Sequence, residues 1–201
     1  MLPIIVRAGV PPKRSDVAST ISTLPAHHTD TLPDWVTEFK AALKDGQLQK
    51  AREICSKSNE DICRLSPGDK YAANVVSCVA QLLDRDLALR GTLKHLLDTF
   101  ETVPRESLPV VDAAHLELAK GILQFHDGNN LSSVIDQLAL ARTLADLAAE
   151  KNLLAISRYY LVRCHCKQGN FGSAVREGRE TEDMLDSGKN RVLARIQMNR
   201  G

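Results

Sequence analysis

Aromatic residues are scarce in this chain: one Trp, three Tyr and four Phe make up 4% of its 201 residues. Binding of single-stranded nucleic acid depends on aromatic platforms for stacking bases, so that class is disfavoured. An excess of either charge is also missing. Lys and Arg number 26 against 25 Asp and Glu, a formal net charge of +1, and no global field draws the chain to nucleic acid or to an anionic membrane. No stretch of about 18 apolar residues is present to span a bilayer. The Leu2 to Val6 run is interrupted by Arg7 and then by Pro11, Pro12 and Lys13, which leaves it too short for a signal-peptide core. A cytoplasmic location is the expectation. Paired cysteine spacings are lacking too. Cys55, Cys63, Cys78, Cys164 and Cys166 form an odd set, read as reduced thiols that serve as small apolar fillers.

What is present is an ordinary globular composition, 43% hydrophobic and 25% charged, in a chain long enough for one domain or a short repeat array. Residues 1–32 hold Pro3, Pro11, Pro12 and Pro25, a Ser/Thr-rich stretch and the pair His27-His28 without a sustained period, and read as a flexible leader. From Pro33 onward the pattern is helical. Leu131, Val134, Ile135, Leu138, Ala141, Ala145 and Ala148 recur at three- and four-residue spacing, as do Leu89, Leu93, Leu96, Leu97 and Phe100. Ser66-Pro67-Gly68-Asp69 combines a capping hydroxyl, a proline preset for a first turn and a carboxylate suited to the helix dipole, which predicts a helix start there. Gly46, Gly128 and Gly169 each follow a helical run and open another.

The turn points recur at a nearly fixed interval. From Gly46 to the Asp84-Arg85-Asp86 turn is about 39 residues, from there to Gly128 about 43, and from Gly128 to Gly169 about 41. Leu161, Lys167-Gln168-Gly169-Asn170-Phe171 and Ala174-Val175 resemble the central stretch of a tetratricopeptide (TPR) repeat: a first-helix leucine, a glycine turn, an aromatic and a small residue at the helix crossing. Trp35, Gly46, Leu48 and Ala51 repeat that spacing, and Gly121 and Gly128 are separated as the family's first-helix and turn glycines are. The interval exceeds the family's usual period of about 34. It is similar to longer-period arrays in bacterial signalling and regulatory proteins, such as the sensor halves of diguanylate cyclases and the regulator domains of LuxR-type activators.

The resemblance implies an all-α fold, an α-solenoid of antiparallel helix pairs in a right-handed superhelical stack. The pairs are expected at about residues 33–65, 67–102, 109–150 and 153–186, with an orphan helix at 189–201. That orphan helix makes a fragment of a longer protein the expectation, and offers a surface for self-association. An irregular helical bundle without true repeats is the alternative.

Catalytic and metal motifs give little. Residues two apart on a helix point about 200° apart, so Cys164-His165-Cys166 cannot close on one ion. Ser187-Gly188-Lys189-Asn190 lacks the earlier glycine and the following Ser or Thr of a phosphate-binding loop, and reads as the boundary between two helices. Asn130-Leu131-Ser132 matches a glycosylation acceptor by chance. No G-x-S-x-G, H-E-x-x-H or G-x-G-x-x-G occurs. Neither an enzyme nor a cofactor is expected.

The resemblance further implies a concave groove lined by the first helix of each pair. Its inward positions correspond to Val36, Lys40, Leu43 and Lys44; to His115, Leu118, Ile122, Phe125 and His126; to Ile156, Tyr159, Arg163, Cys166 and Lys167; and to Arg191, Arg195 and Met198. None is acidic, so an acidic protein or peptide segment is the expected partner, with Leu118, Phe125 and Tyr159 giving contact area and Arg163 and Lys167 orienting it. The plainer alternative is that these cations are solvated helix faces. The expected function is a non-catalytic protein-protein interaction scaffold or sensory module in a larger signalling or regulatory protein. A nucleic-acid-associated transcriptional regulator, touching phosphates through the basic segment from Lys189 to Arg200, is the alternative. A helical enzyme whose site is assembled from scattered residues is a third.

Overall fold

The computed structural model describes residues 32–184. The leader with His27-His28, the segment from Ser187 to Asn190, the expected orphan helix at 189–201 and the nominated Arg191, Arg195 and Met198 lie outside the described residues. Within them are nine α-helices and no strand: α1 (Asp34–Lys44), α2 (Leu48–Lys57), α3 (Asn59–Cys63), α4 (Ala72–Leu82), α5 (Arg90–Phe100), α6 (Val110–His126), α7 (Leu131–Leu147), α8 (Lys151–Lys167) and α9 (Phe171–Met184). No helix among the described residues is long and apolar enough to cross a membrane.

Local chemistry sets most of the boundaries. Pro33, with φ −55° and ψ 140°, precedes α1, whose first turn carries Asp34 and whose last carries Lys44, each complementing the dipole end it faces. The Asn130 side chain accepts from the Ser132 N–H at 2.9 Å and caps α7, which gives this residue a structural use. At the end of α1 the Gly46 N–H bonds to Leu43 and the Gln47 N–H to Ala42, with Gly46 at φ +62°. The ends of α6 and α8 repeat this left-handed cap at Gly128 and Gly169. The end of α7 repeats it at Ala149, with φ +56° and a Glu150 N–H bond to Ala145.

One predicted boundary is corrected. The helix expected to start at Ser66 to Asp69 begins at Ala72. The Asp69 carboxylate turns back to accept from the Ser66 N–H at 2.8 Å and the Ser66 hydroxyl at 3.1 Å, which closes a turn and consumes the group that would have capped a helix.

The core lies along α4 and α6. Ala72, Val75, Val76, Val79, Ala80 and Leu82 are all buried on α4, and a helix apolar around its circumference belongs in an interior. It packs against α1, α2, α5 and α6; α6 in turn packs against α4, α5, α7 and α8, and α9 lies on α8. Gly121 lets α6 approach α7 closely, since a Cβ there would stand 2.6 Å from Leu138 Cδ2 and 2.8 Å from its Cγ.

Two buried acids tie neighbouring elements together. Glu117 of α6 takes Arg105 and Gln137, with Lys120 Nζ at 4.0 Å. Glu177 of α9 takes Arg142 of α7 and Arg158 of α8. A buried polar side chain without such partners would carry the full cost of its lost hydration.

Candidate functional site

The turn between α4 and α5 sends Asp84 toward α6 and α8. Its Oδ2 accepts from the Tyr160 hydroxyl at 3.0 Å, and its Oδ1 accepts from Arg163 Nη1. His126, the last residue of α6, brings Nε2 to 3.1 Å from the same Oδ1, within ion-pair range but off the line of a well-formed hydrogen bond. Burial by itself would raise the Asp84 carboxyl; the contacts from His126, Arg163 and Tyr160, with the charge of Arg163, outweigh burial and hold it down at about 2. Asp84 is therefore a fixed anion at neutral pH. The same turn also reaches α2 through Asp86 and Arg52, and α6 through Arg90, which pairs with Asp127 at 2.9 Å and donates to the His126 carbonyl at 2.9 Å.

Above Asp84 stands a stack of cations and rings. The Arg163 guanidinium carbon lies 4.6 Å from the Phe125 ring centre, 5.3 Å from that of Tyr160 and 5.5 Å from that of Tyr159. Lys167, one turn further along α8, places Nζ 3.9 Å from the Phe125 centre. Each such contact contributes about 0.5–2 kcal/mol, depending on how dry it is. Asp84 holds Arg163 through Nη1, and among the described residues no hydrogen bond or ion pair is made by its Nε and Nη2, the side-on pair of donors that suits a carboxylate. Lys167 is exposed beside it.

The same helices carry a second polar network at His115. Its Nδ1 lies 2.7 Å from Ser77 Oγ and its Nε2 3.0 Å from Asn74 Nδ2, while the Ser77 hydroxyl donates to the Asn74 carbonyl at 2.9 Å. The single hydroxyl proton is thus committed, so Nδ1 carries a proton and donates to Ser77, and Nε2 accepts from Asn74. Burial pushes this imidazole down to about 4, with the nearby Lys40 charge adding to the effect. Ser77 is 1% exposed, so a substrate cannot reach the pair and it does not function as a nucleophile and base.

The nominated residues accordingly divide. Phe125, Tyr159, Arg163 and Lys167 converge in the stack, and Lys40 and Lys44 lie exposed on α1. The Lys40 charge acts on His115 of α6 and Cys78 of α4, which puts it on the same side as those helices. His115 is committed to Asn74 and Ser77. Leu118 is fully buried and Phe125 is 4% exposed, which corrects their expected use as contact area: Leu118 is core, and Phe125 acts through the two cations on its ring. The expectation of a face without acids is corrected as well, because Asp84 sits among its cations. Sequence reasoning missed Asp84, Tyr160, Asn74 and Ser77. The Asp84-Arg85-Asp86 turn was visible as charged punctuation, but nothing local distinguished Asp84 from Asp86.

Among the cysteines, Cys55, Cys78 and Cys164 are buried, and burial pushes their thiols up to about 11, 12 and 11. Comparison with family models, with curated proteins and with solved structures finds no match to this chain.

Proposed function

We propose that this chain is a non-catalytic protein-interaction scaffold, a TPR-like stack of antiparallel helix pairs that holds an acidic partner segment along α1, α4, α6 and α8. The observation that carries the reading is Arg163, clamped by Asp84 and stacked on aromatic rings with its side-on edge unbonded among the described residues, and Lys167 exposed next to it. A cation whose rotamer is already held loses less entropy when it meets a carboxylate, so its contribution to affinity is larger. The packing of α1 on α4, α4 on α6 and α6 on α8 supports this reading, since first helices of successive pairs would lie side by side in that order. In this reading the protein acts in the cytoplasm as part of a signalling or regulatory assembly.

The test is titration of a fluorescent Glu-rich peptide into the full chain, with Lys167→Glu as the informative variant because Lys167 is exposed and its packing contact is the Phe125 ring, and a thermal melt checks that the variant remains folded. Affinity should fall about tenfold, with faster dissociation and a steep salt dependence. Equal binding by wild type and Lys167→Glu would leave this face without a role. Preference of the wild type for a nucleic-acid duplex of matched charge over the peptide would favour the regulator reading instead.

A further inference from the structure

A hollow of about 490 Å³ opens between α1, α3 and the turn that precedes α4, away from the Arg163 stack. Trp35 of α1 and Tyr71 of that turn line it together with Leu65. Both aromatic side chains are half-buried and rest against the hydrophobic core, so their rings are held while leaving surface exposed to the hollow. Two carboxylates, Asp61 and Asp69, complete the lining with one cation, Arg64. We propose that this hollow is a binding site for a quaternary ammonium group.

Such walls suit one kind of cation. Asp69 is fixed by the Ser66 N–H and hydroxyl, both on Oδ2. Burial raises the Tyr71 hydroxyl, and the negative fields of Asp69 and then Asp61 raise it further, which places both charges near that ring. Arg64 also lines the hollow and pairs with Glu60 at 3.6 Å, both side chains being strongly exposed, so the lining carries two negative charges against one positive. The result is an electronegative hollow with aromatic walls. A hard divalent ion requires six or more oxygen ligands, and the described residues contain no group of three His, Cys, Asp or Glu side chains able to hold a metal. A primary ammonium brings three donors and a tight hydration shell; Asp61 and Asp69 offer it acceptors, but the Trp, Tyr and Leu surfaces cannot replace the rest of that shell. A methylated ammonium has an apolar skin and no donors; it is attracted to ring faces by their quadrupole and to the two carboxylates by their charge.

Two sources offer this chemistry, free small molecules of the choline type and trimethyllysine in a protein segment. Trp35 is the sole tryptophan, so the emission of the full chain reports on this hollow directly. Choline and a peptide containing trimethyllysine are titrated separately, alongside the uncharged isostere 3,3-dimethylbutan-1-ol and the unmethylated peptide. Saturable quenching is expected at about millimolar concentration with at least one quaternary probe, an affinity of about 4 kcal/mol, which two cation-aromatic contacts and the charge of the carboxylates would supply together, and the arm that responds identifies the source. Asp61→Asn should weaken binding about threefold to tenfold, and Tyr71→Leu should abolish it, with thermal melts verifying that each variant remains folded. A neutral isostere that quenches as well as choline, or no saturable response to either quaternary probe, would falsify the proposal. Because the readout is confined to Trp35, its failure leaves the acidic-partner reading of the α8 face unaffected.

Discussion

The Tyr160 hydroxyl donates to one oxygen of Asp84 at 3.0 Å, and Arg163, on the same helix, donates to the other oxygen from 79 residues along the chain. One carboxylate on a turn thus anchors α8 from below and aims its cation outward.

Asp84→Asn retains the shape and the Tyr160 contact but removes the charge that Arg163 and His126 face. Removing one member of a paired, mostly buried set costs about 3–5 kcal/mol, and since the Arg163 side chain is 25% exposed, about 2–3 kcal/mol is expected here. Urea denaturation should show a lower midpoint with an unchanged slope; a loss within experimental error would mean that the cluster contributes no stability.

Two groups with large shifts act on the acid side of the stability curve, alongside smaller shifts in the same direction at His165 and Glu180. The His115 imidazole has its folded value held down at about 4, below its ordinary 6.5, so the unfolded chain takes up the proton first. Its contribution, up to about 3 kcal/mol, is complete above pH 6.5 and declines as the pH falls toward 4. Asp84, held at about 2 against an ordinary 3.8, contributes above pH 4 and loses that contribution as the pH falls toward 2. Stability measured against pH should descend in two steps, and His115→Gln should reduce the upper one while leaving the lower one in place.

Gly121→Ala places a methyl group 2.6 Å from Cδ2 and 2.8 Å from Cγ of Leu138, a fully buried side chain that must shift to admit it. Overpacking between α6 and α7 should cost about 1–3 kcal/mol. Gly91→Ala, where an added Cβ meets nothing within 4 Å, should instead be neutral or stabilise by up to about 1 kcal/mol through helix propensity. Thermal melts of the two variants should move in opposite directions or differ clearly in size.

Ala149 occupies a left-handed cap position that glycine takes at Gly46, Gly128 and Gly169. Its Cβ costs about 1–2 kcal/mol in that conformation, part of which glycine returns as extra freedom in the unfolded chain. Ala149→Gly should raise stability by about 0.5–1 kcal/mol, and Gly169→Ala should lower it by a similar amount. Opposite signs in chemical denaturation are the expected result.

The helical character of residues 34–184 and three of the glycine turns were legible in the sequence, because a 3.6-residue apolar period and a residue tolerant of positive φ are both local properties. Arg163 and Lys167 were legible as cations one turn apart on a single face. Three things were decided by tertiary structure. Asp69 bonded backward to Ser66 instead of forward into a helix, a choice between two satisfied geometries that composition does not separate. Leu118 and Phe125 share their helix face with Arg-contacting and buried positions alike, and only the approach of α4 and α8 determined which were covered. Asp84 acquired its role from Tyr160 and Arg163, more than 70 residues distant, since electrostatic partnership depends on separation in space and leaves no periodic trace along the chain.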